Sequence, residues 1–261
     1  MRAQDEEALL HAMADAVQAA VRRADPQDFG RTHGMGADGT PTKVVDDLAE
    51  RELLKLLEAH GNPWNMLSEE IGFVDNGSSR LLVADPIDGT RNICRGIPFY
   101  CIALALGSKT LDDVDVGLVR NLCSGDTFFA RKGKGATLNG KPLQCPPFDS
   151  VDTVVATTLG KEARPEALSL VTQRYNVRSL GAAALEMCLV ANGGLDFYYY
   201  GPRKLRVVDI AASTLIVREA GGFVMDIDGT DHLRMNLSLV PRTNLIAANS
   251  KEAMDILKVI R

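Results

Sequence analysis

Ten consecutive residues carry most of the structural information in this sequence: Leu81-Leu82-Val83-Ala84-Asp85-Pro86-Ile87-Asp88-Gly89-Thr90. The apolar run predicts a buried strand, and Pro86 is expected to end it because proline cannot donate a ladder hydrogen bond. Asp85 and Asp88 then stand at the strand exit, before a glycine–threonine pair that can turn the chain into a helix. Two carboxylates and a hydroxyl at a helix start suit a divalent cation and an anion. The alternative is an ordinary turn, in which aspartate and glycine serve only the backbone.

Further acidic residues lie before and after this stretch. Glu69 and Glu70 end a predicted short strand; if it neighbours the strand that ends at Asp85, the carboxylates crowd one edge of a sheet. Oxygen ligands without histidine or cysteine favour Mg²⁺ or Mn²⁺ over zinc. Asp46 lies in the first turn of a predicted helix and Asp209 opens another. Each of these two has either a helix-terminal role or a role in the acidic site.

The order of predicted elements indicates two halves. Apolar spacing predicts a helix over residues 3–23 and a second one capped by Thr42, with a polar, glycine-rich loop between them. The strands that follow form a predicted antiparallel meander, which ends at a Pro-Pro pair. Beyond that pair, strands alternate with helices. We therefore predict an α+β half over residues 1–148 and an α/β half over residues 149–261.

Composition and charge argue against several classes of function. The chain has 261 residues, 46% of them hydrophobic and 24% charged, which is typical of a folded globular protein. A net charge of −5 argues against general binding of nucleic acid or membrane surfaces. The five cysteines are dispersed without a zinc-binding spacing, which favours a reduced, cytoplasmic protein. The N-terminal segment lacks the features of a signal peptide, and no apolar run is long enough to span a bilayer.

A second aspartate-rich pattern, Asp-x-Asp-Gly-Thr, occurs at residues 226–230 after an apolar strand. It is similar to the nucleophile motif of the haloacid dehalogenase phosphatases. Those enzymes need further strands that carry a lysine and an acidic pair, and residues 231–261 are too few to supply them. We therefore interpret the segment from Asp226 to Thr230 as a hairpin turn.

Together, the acidic segments resemble the inositol monophosphatase family of lithium-sensitive, metal-dependent sugar phosphatases. Residues 85–90 match the family signature D-P-[IL]-D-G-[ST] fully. Residues 68–70 resemble its G-E-E segment, and residues 208–212 resemble its W-D-x-A-[AG] segment with valine in place of tryptophan. That replacement, together with residues 36–43, is similar to the archaeal enzymes that accept both inositol monophosphate and fructose 1,6-bisphosphate.

The resemblance implies a layered αβαβα sugar-phosphatase fold, with an N-terminal antiparallel-sheet half, a C-terminal α/β half and a site between them. Five residues are expected to hold two to three Mg²⁺ or Mn²⁺ ions: Glu69, Asp85, Asp88, Asp209 and, through its carbonyl oxygen, Ile87. By the same resemblance, Asp85 bridges the first two ions, and a third, weaker ion depends on Glu69.

The catalytic roles follow from the same resemblance. Thr90 is expected to relay a proton from the attacking, metal-bound water toward Asp46, and no covalent phospho-enzyme is required. The backbone N–H groups of Gly89 and Thr90 are expected to bind the phosphate, with Asp88 also facing the substrate.

Contacts with the rest of the substrate are expected from Arg178, Ala183 and Arg203, with Lys204 or Arg206 as alternatives to Arg203. For each basic residue, the other interpretation is an ordinary surface charge. The expected substrates are inositol 1-phosphate, fructose 1,6-bisphosphate or both. A 3′-phosphoadenosine 5′-phosphate phosphatase and a non-catalytic sugar-phosphate-binding protein are the alternatives. The resemblance also implies a homodimer.

Overall fold

The computed structural model describes residues 2–37, 39–160, 163–228 and 232–260. Its α-helices are α1 Ala3–Arg23, α2 Val44–Ala59, α3 Thr90–Ile93, α4 Pro165–Thr172, α5 Ala183–Asn192, α6 Val207–Glu219 and α7 Leu257–Ile260. Short 3₁₀ helices lie at Leu111–Asp113, His232–Arg234 and Ala253–Ile256. No helix in this described part of the chain combines the length and the apolar character needed to cross a membrane.

The first large sheet has eight strands, and two further strands form a small antiparallel pair. The pair is β1 Thr32–Met35 and β2 Pro41–Lys43; the sheet contains β3 Asn65–Ser68, β4 Gly72–Val74, β5 Leu81–Asp88, β6 Cys101–Gly107, β7 Val116–Asn121, β8 Thr127–Arg131, β9 Ala136–Leu138 and β10 Lys141–Leu143. The order across the sheet is β10-β9-β8-β7-β6-β5-β3-β4. Neighbours run antiparallel except β3 and β5, which are parallel, so the carboxyl ends of these two strands meet.

The second sheet has five strands, taken from the C-terminal part of the chain. They are β11 Val154–Thr157, β12 Asn176–Arg178, β13 Phe197–Leu205, β14 Phe223–Met225 and β15 Thr243–Ala248, in the order β12-β11-β13-β15-β14. β11 runs parallel to both of its neighbours, and β15 runs antiparallel to β13 and β14. The division of the chain into residues 1–148 and 149–261 stays a prediction.

Helices and sheets alternate in five layers. α1 and α2 pack together on one face of the first sheet. α5 and α6 lie between the two sheets, and α4 with α7 covers the outer face of the second sheet. This arrangement confirms the predicted αβαβα fold and the antiparallel character of its first sheet.

β5 holds its central place because it is apolar on both faces. Leu82 and Ala84 pack in the cluster beneath α1 and α2, while Leu81 and Val83 pack in the cluster around α5 and α6. A strand buried on both sides requires a continuous apolar run rather than an alternating one. The run therefore fixes β5 in the middle of the molecule, with its carboxyl end between the layers.

Helix α6 lies directly on β7. A Cβ atom on Gly117 of β7 would lie 2.8 Å from the carbonyl oxygen of Ala212 in α6, so only glycine allows this approach. The close contact fixes the N-terminal turn of α6, which contains Asp209, against the first sheet.

The expectation that Pro86 ends the strand was wrong. β5 continues through Pro86 to Asp88, and its register against β6 shifts between Asp85, which faces Ala103, and Asp88, which faces Cys101. Such a bulge leaves extra residues out of the ladder, which is one of the few places in a sheet where proline fits. The bulge re-aims the end of β5 and the side chains that it carries.

The segment before α2 also differs from the prediction. Thr42 does not cap the helix; it lies in β2, its hydroxyl donates to the Glu70 carboxylate, and Lys43 occupies the N-cap position. The predicted glycine-rich loop instead forms the β1–β2 pair, and Asp38 lies outside the described residues. The propensity of threonine for helix caps is outweighed here by a buried partner from a distant strand.

The pattern at residues 226–230 is only partly described, because Gly229 and Thr230 lie outside the described residues. The Asp226 carboxylate is buried and accepts a hydrogen bond of 2.9 Å from the backbone N–H of Asp228. This contact is the local side-chain-to-backbone bond typical of aspartate in turns.

Candidate active site

Three carboxylates meet at the edge where β3 and β5 end. Glu69 directly follows β3, Asp85 lies within β5, and Asp209 belongs to the first turn of α6. One carboxylate oxygen of each lies within 4.8 Å of the others. The parallel pairing of β3 with β5 brings the first two together, and the packing of α6 between the sheets supplies the third.

The Asp85 carboxylate is almost completely buried, at 3% exposure. Burial raises its pKa well above the usual range, and the nearby carboxylates of Glu69 and Asp88 raise it further. Its Oδ1 accepts a hydrogen bond of 3.1 Å from the backbone N–H of Ile87, which fixes the orientation of the group. A carboxylate held in this way attracts any cation that can balance its charge.

Asp88 lies beside these groups at the end of β5. Its Oδ2 accepts a hydrogen bond of 2.7 Å from the N–H of Ala184 in α5, so this carboxylate joins the end of β5 to the helical layer between the sheets. The thiol of Cys101 lies 3.7 Å from the same oxygen. Burial and the charge of Asp209 raise the pKa of Asp88 to about 8.

A guanidinium lies among the carboxylates. Arg206 Nη1 is 2.7 Å from Glu69 Oε1, and Arg206 Nη2 is 2.9 Å from Asp209 Oδ1. The Arg206 side chain is only 13% exposed. The two carboxylates raise the pKa of Arg206, since each favours the charged form against the effect of burial.

The hydroxyl of Thr90 faces a second acidic group. Gly89 adopts a left-handed conformation with φ +95° and turns the chain into α3, which begins at Thr90. Thr90 Oγ1 lies 3.0 Å from Asp46 Oδ1 and 3.1 Å from the carbonyl oxygen of Ile87. Burial, followed by the charge of Glu70, raises the pKa of Asp46 to about 7. Asp46 therefore lies in the first turn of α2 and also contacts Thr90, the residue that begins α3.

A cavity of about 370 Å³ opens over these groups. The predicted site residues that line it are Glu69, Asp85, Ile87, Asp88, Gly89, Thr90, Ala183 and Asp209. The alternatives to Arg203, namely Lys204 and Arg206, line it as well. A larger cavity of about 640 Å³ lies at Tyr199 and Asp228, and we place the candidate site in the smaller one because it holds the carboxylate cluster.

The structure does not place Arg203 in the cavity. Its Nη2 lies 2.8 Å from Asp228 Oδ2, and 3.5 Å from Asp226 Oδ2. Lys204 lines the cavity, whereas Arg203 pairs with Asp228, a residue of the larger cavity. The substrate contact expected from Arg203 stays a prediction, with Lys204 as the alternative that lines the cavity.

Arg178 is not among the residues that line the cavity either. It ends the edge strand β12, its side chain is exposed, and Nη1 donates to the carbonyl oxygen of Val177 at 3.1 Å. An edge strand at the far side of the second sheet directs this guanidinium to the surface. Ala183, at the start of α5, does line the cavity as expected.

Several lining residues were not predicted from the sequence: Arg91, Thr158, Gly181, Glu186, Tyr198, Tyr200 and Leu205. Tyr198 and Tyr200 could have been found, because they alternate along β13 with the residues of the other face. Glu186 gave no signal, since it lies inside an apolar helix. It is 3% exposed, accepts the N–H of Leu180 at 3.1 Å, and burial raises its pKa to about 7.

The ligand set fits a hard divalent cation. The clustered atoms of Glu69, Asp85 and Asp209 are all carboxylate oxygens, and neither histidine nor cysteine belongs to the cluster in the described residues. Oxygen-only sites of this kind prefer Mg²⁺ or Mn²⁺ to zinc. Burial raises the pKa of Asp85 and of Asp88, and neighbouring carboxylates raise both further; a bound cation would offset that repulsion.

The layered αβαβα fold and an acidic cluster that could hold a metal ion are both features expected of a metal-dependent sugar phosphatase. The sequence profile of the inositol monophosphatase family matches residues 3–261, and the chain belongs to that family. It is therefore a phosphatase of a metal-dependent family, which confirms the resemblance found in the sequence.

Named relatives agree with this assignment. A fructose-1,6-bisphosphatase/inositol-1-monophosphatase of Methanothermobacter thermautotrophicus is 40% identical over 257 residues, covering 89% of this chain and 90% of that protein. A bifunctional NADP phosphatase/NAD kinase of Methanococcus maripaludis is 34% identical, covering 82% of this chain and 42% of that protein. A solved inositol monophosphatase-fructose 1,6 bisphosphatase, the MJ0109 gene product, matches at a TM-score of 0.86 and 32% identity over 100% of both chains.

Proposed function

We propose that this phosphatase hydrolyses inositol 1-phosphate and fructose 1,6-bisphosphate with Mg²⁺ as its cofactor. The observation that carries the proposal is the cluster of three carboxylates at one cavity, which is also lined by Thr90, the hydrogen-bond partner of Asp46. The relative from Methanothermobacter thermautotrophicus is named for both activities, which favours a site that accepts both substrates.

Five groups would hold two to three cations: the carboxylates of Glu69, Asp85, Asp88 and Asp209, and the carbonyl oxygen of Ile87. When bound, Mg²⁺ would neutralise charge on the phosphoryl oxygens and make a water molecule more acidic. Asp85 has the most buried carboxylate of the set, which suits the central, bridging position.

Thr90 and Asp46 would hold and move the proton of the attacking water. Thr90 Oγ1 can accept a hydrogen bond from that water while it donates its own proton to Asp46 Oδ1, 3.0 Å away. The pKa of Asp46, raised to about 7 by burial, lies close to the pH at which a general base is most effective. The reaction then needs no covalent intermediate on the protein.

The substrate would be held by backbone and side-chain donors around the cavity. Gly89 and Thr90 begin α3 and can direct their N–H groups at the phosphate. Lys204 takes the place of Arg203 as the candidate contact for a second anionic group, because it lines the cavity. A cavity of about 370 Å³ can enclose a sugar phosphate.

A phosphate-release assay tests the proposal. The panel consists of inositol 1-phosphate, fructose 1,6-bisphosphate, 3′-phosphoadenosine 5′-phosphate and NADP, each with Mg²⁺, with Mn²⁺ and with a chelator. We expect turnover of the first two substrates with metal only, and its loss in Asp85→Asn. Asp196→Asn is the matched control, since Asp196 is a buried aspartate outside the cavity.

The other outcomes separate the alternatives. Faster turnover of 3′-phosphoadenosine 5′-phosphate than of either sugar phosphate contradicts the proposed substrates and favours a nucleotide phosphatase. Saturable binding of sugar phosphates without phosphate release favours a non-catalytic binding protein. The homodimer and the cytoplasmic location stay predictions, and light scattering of the purified protein measures the first.

A further inference from the structure

Arg206 lies where the proposed function requires metal ions to bind, so its contacts bear on how the site takes up cations. The guanidinium contacts Glu69 Oε1 at 2.7 Å and Asp209 Oδ1 at 2.9 Å. Both carboxylates belong to the cluster of oxygens that lie within 4.8 Å of one another. The side chain therefore sits where positive charge is required, and it bridges a residue that follows β3 with one from α6.

The contact to Asp209 is more than a single ion pair. Arg206 is the N-cap residue of α6, and its backbone N–H donates to Asp209 Oδ2 at 2.6 Å while its Nε lies 3.3 Å from the same oxygen. The guanidinium thus contacts both oxygens of Asp209, as in the bidentate pairs that arginine forms with carboxylates. With 13% of the side chain exposed, water screens this interaction little.

A divalent cation on the same oxygens conflicts with this arrangement. Mg²⁺ lies about 2.1 Å from its oxygen ligands, so an ion on Glu69 Oε1 or Asp209 Oδ1 would lie within about 5 Å of a guanidinium nitrogen. Two positive charges at that distance repel strongly in a partly buried site. The ion and the guanidinium therefore compete for these carboxylate oxygens.

We propose that Arg206 is a resident counter-ion of the metal site, which competes with the divalent cation for Glu69 and Asp209. In the absence of metal it balances part of the negative charge and holds the end of β3 against the start of α6. The affinity for the cation is then the difference between the attraction of the carboxylates and the cost of releasing Arg206. Arg206 acts on catalysis through the metal site, as a positioning residue.

Isothermal titration of Mg²⁺ and of Mn²⁺ into the full chain without substrate tests the proposal. In Arg206→Gln, we expect binding tightened by about tenfold, which corresponds to about 1.4 kcal/mol. Arg203→Gln is the matched control: it removes the same charge from a position three residues earlier, where the guanidinium pairs with Asp226 and Asp228 and not with the cluster. Its affinity for metal should stay within about twofold of the wild type.

The unfolding temperature provides a second test, which does not require calorimetric titration. Without metal, Arg206→Gln should unfold at a lower temperature than the wild type, because the carboxylates lose their counter-ion. On addition of Mg²⁺ its unfolding temperature should rise by more than that of the wild type. If Arg206→Gln does not fold, Arg206→Lys takes its place: an ammonium cannot bridge both carboxylates, so metal should still bind more tightly than in the wild type.

Each other result overturns the proposal in a distinct way. Unchanged or weaker metal binding in both Arg206 variants, with normal binding in the wild type, assigns Arg206 to orienting the ligands and rejects competition. If Arg203→Gln tightens metal binding as much as Arg206→Gln does, the change in affinity is due to the net charge of the protein and not to competition at the site. If the wild type itself binds neither ion, the competition and the metal-dependent function proposed above fail together.

Discussion

The Thr90 hydroxyl and the Asp46 carboxylate, 3.0 Å apart, join the start of α3 to the first turn of α2. Asp46 also accepts a hydrogen bond of 3.3 Å from the backbone N–H of Lys43, so its carboxylate is oriented from both sides. The pair is therefore placed to move a proton without a large rearrangement.

Replacing Thr90 with valine tests this role. Valine keeps the shape of the side chain and removes the hydroxyl, so the proton path to Asp46 is interrupted while the cavity is preserved. We expect kcat to fall by about 100-fold or more, with a smaller change in KM. Steady-state phosphate release measures both. Thr90→Ser, which keeps the hydroxyl, should recover most of the rate, and near-normal kcat in Thr90→Val would exclude the relay.

Asp85→Asn should stabilise the metal-free protein while it destroys the metal site. The pKa of Asp85 is raised by burial and by Glu69, so its charged form opposes folding near neutral pH. We expect a gain of about 1–3 kcal/mol in the free energy of unfolding in the presence of a chelator. Denaturant titration measures it, and calorimetry should show weakened Mg²⁺ binding.

Asp196→Asn is the control for this stability change. Asp196 is also buried, but its oxygens accept hydrogen bonds of 2.8 Å from Val154 N–H and from Asn249 Nδ2. An amide can satisfy only one of these donors with its single oxygen, so this variant should lose about 1–3 kcal/mol. A loss of stability in both variants would show that repulsion in the acidic cluster is not significant.

Gly89→Ala should destabilise the turn between β5 and α3. A Cβ atom there would meet the Phe99 carbonyl oxygen at 3.1 Å, Tyr100 Cβ at 3.1 Å and Ala182 Cβ at 3.2 Å, and the φ of +95° disfavours any side chain. The expected loss is about 2–4 kcal/mol, the sum of conformational strain and crowding. Thermal or denaturant unfolding measures it, and phosphatase activity should fall with it.

Gly77→Ala separates the two causes. Gly77 has a φ of +71° and no atom within 4 Å of the added Cβ, so this variant should show only the conformational cost of about 1 kcal/mol. Equal losses at the two positions would mean that the contacts around Gly89 can relax, and that its neighbours do not enforce the turn.

The stability of the metal-free protein should depend on Glu186 between about pH 4.5 and pH 7. Burial raises the pKa of Glu186 from 4.5 to about 7, so the folded protein binds a proton that the unfolded chain has already lost in this window. The contribution of Glu186 is complete below the lower value and is lost as the pH rises through the upper one. Relative to the wild type, Glu186→Gln should gain about 1–3 kcal/mol between pH 4.5 and pH 8.

Denaturant unfolding at several pH values, in the presence of a chelator, measures this difference. Glu58→Gln, at an exposed position of α2, is the control for removal of one carboxylate. A stability difference between wild type and Glu186→Gln that stays constant with pH would contradict the assignment of the titration to Glu186.

The layered fold was predicted through the resemblance of the acidic segments to a known family, whereas the acidic cluster also follows from the residues themselves. The apolar run of residues 81–84 predicts a buried strand that ends at Asp85. Glu69 and Asp85 each end such a run, so their approach requires only that two strands be neighbours.

Other features depend on contacts between distant segments of the chain, which a local sequence pattern cannot predict. The bulge at Pro86 follows from the register of β5 against β6, and the contact of Thr42 with Glu70 joins residues from different elements. The choice between Arg203 and Lys204 is a further example: the motif gives the approximate position along the chain, and only the packed structure shows that Lys204 lines the cavity. The contacts of Arg206 with two carboxylates required the packed helix α6.

The close packing of α6 on β7 at Gly117 has a consequence for the order of synthesis. Because that helix is both a wall of the cavity and part of the core, a nascent chain that has not yet reached residue 206 carries Glu69 without the arginine that pairs with it. Fragments that end before residue 206 lack both Asp209 and the helix that packs on β7, so the carboxylate cluster is complete only after α6 has been synthesised.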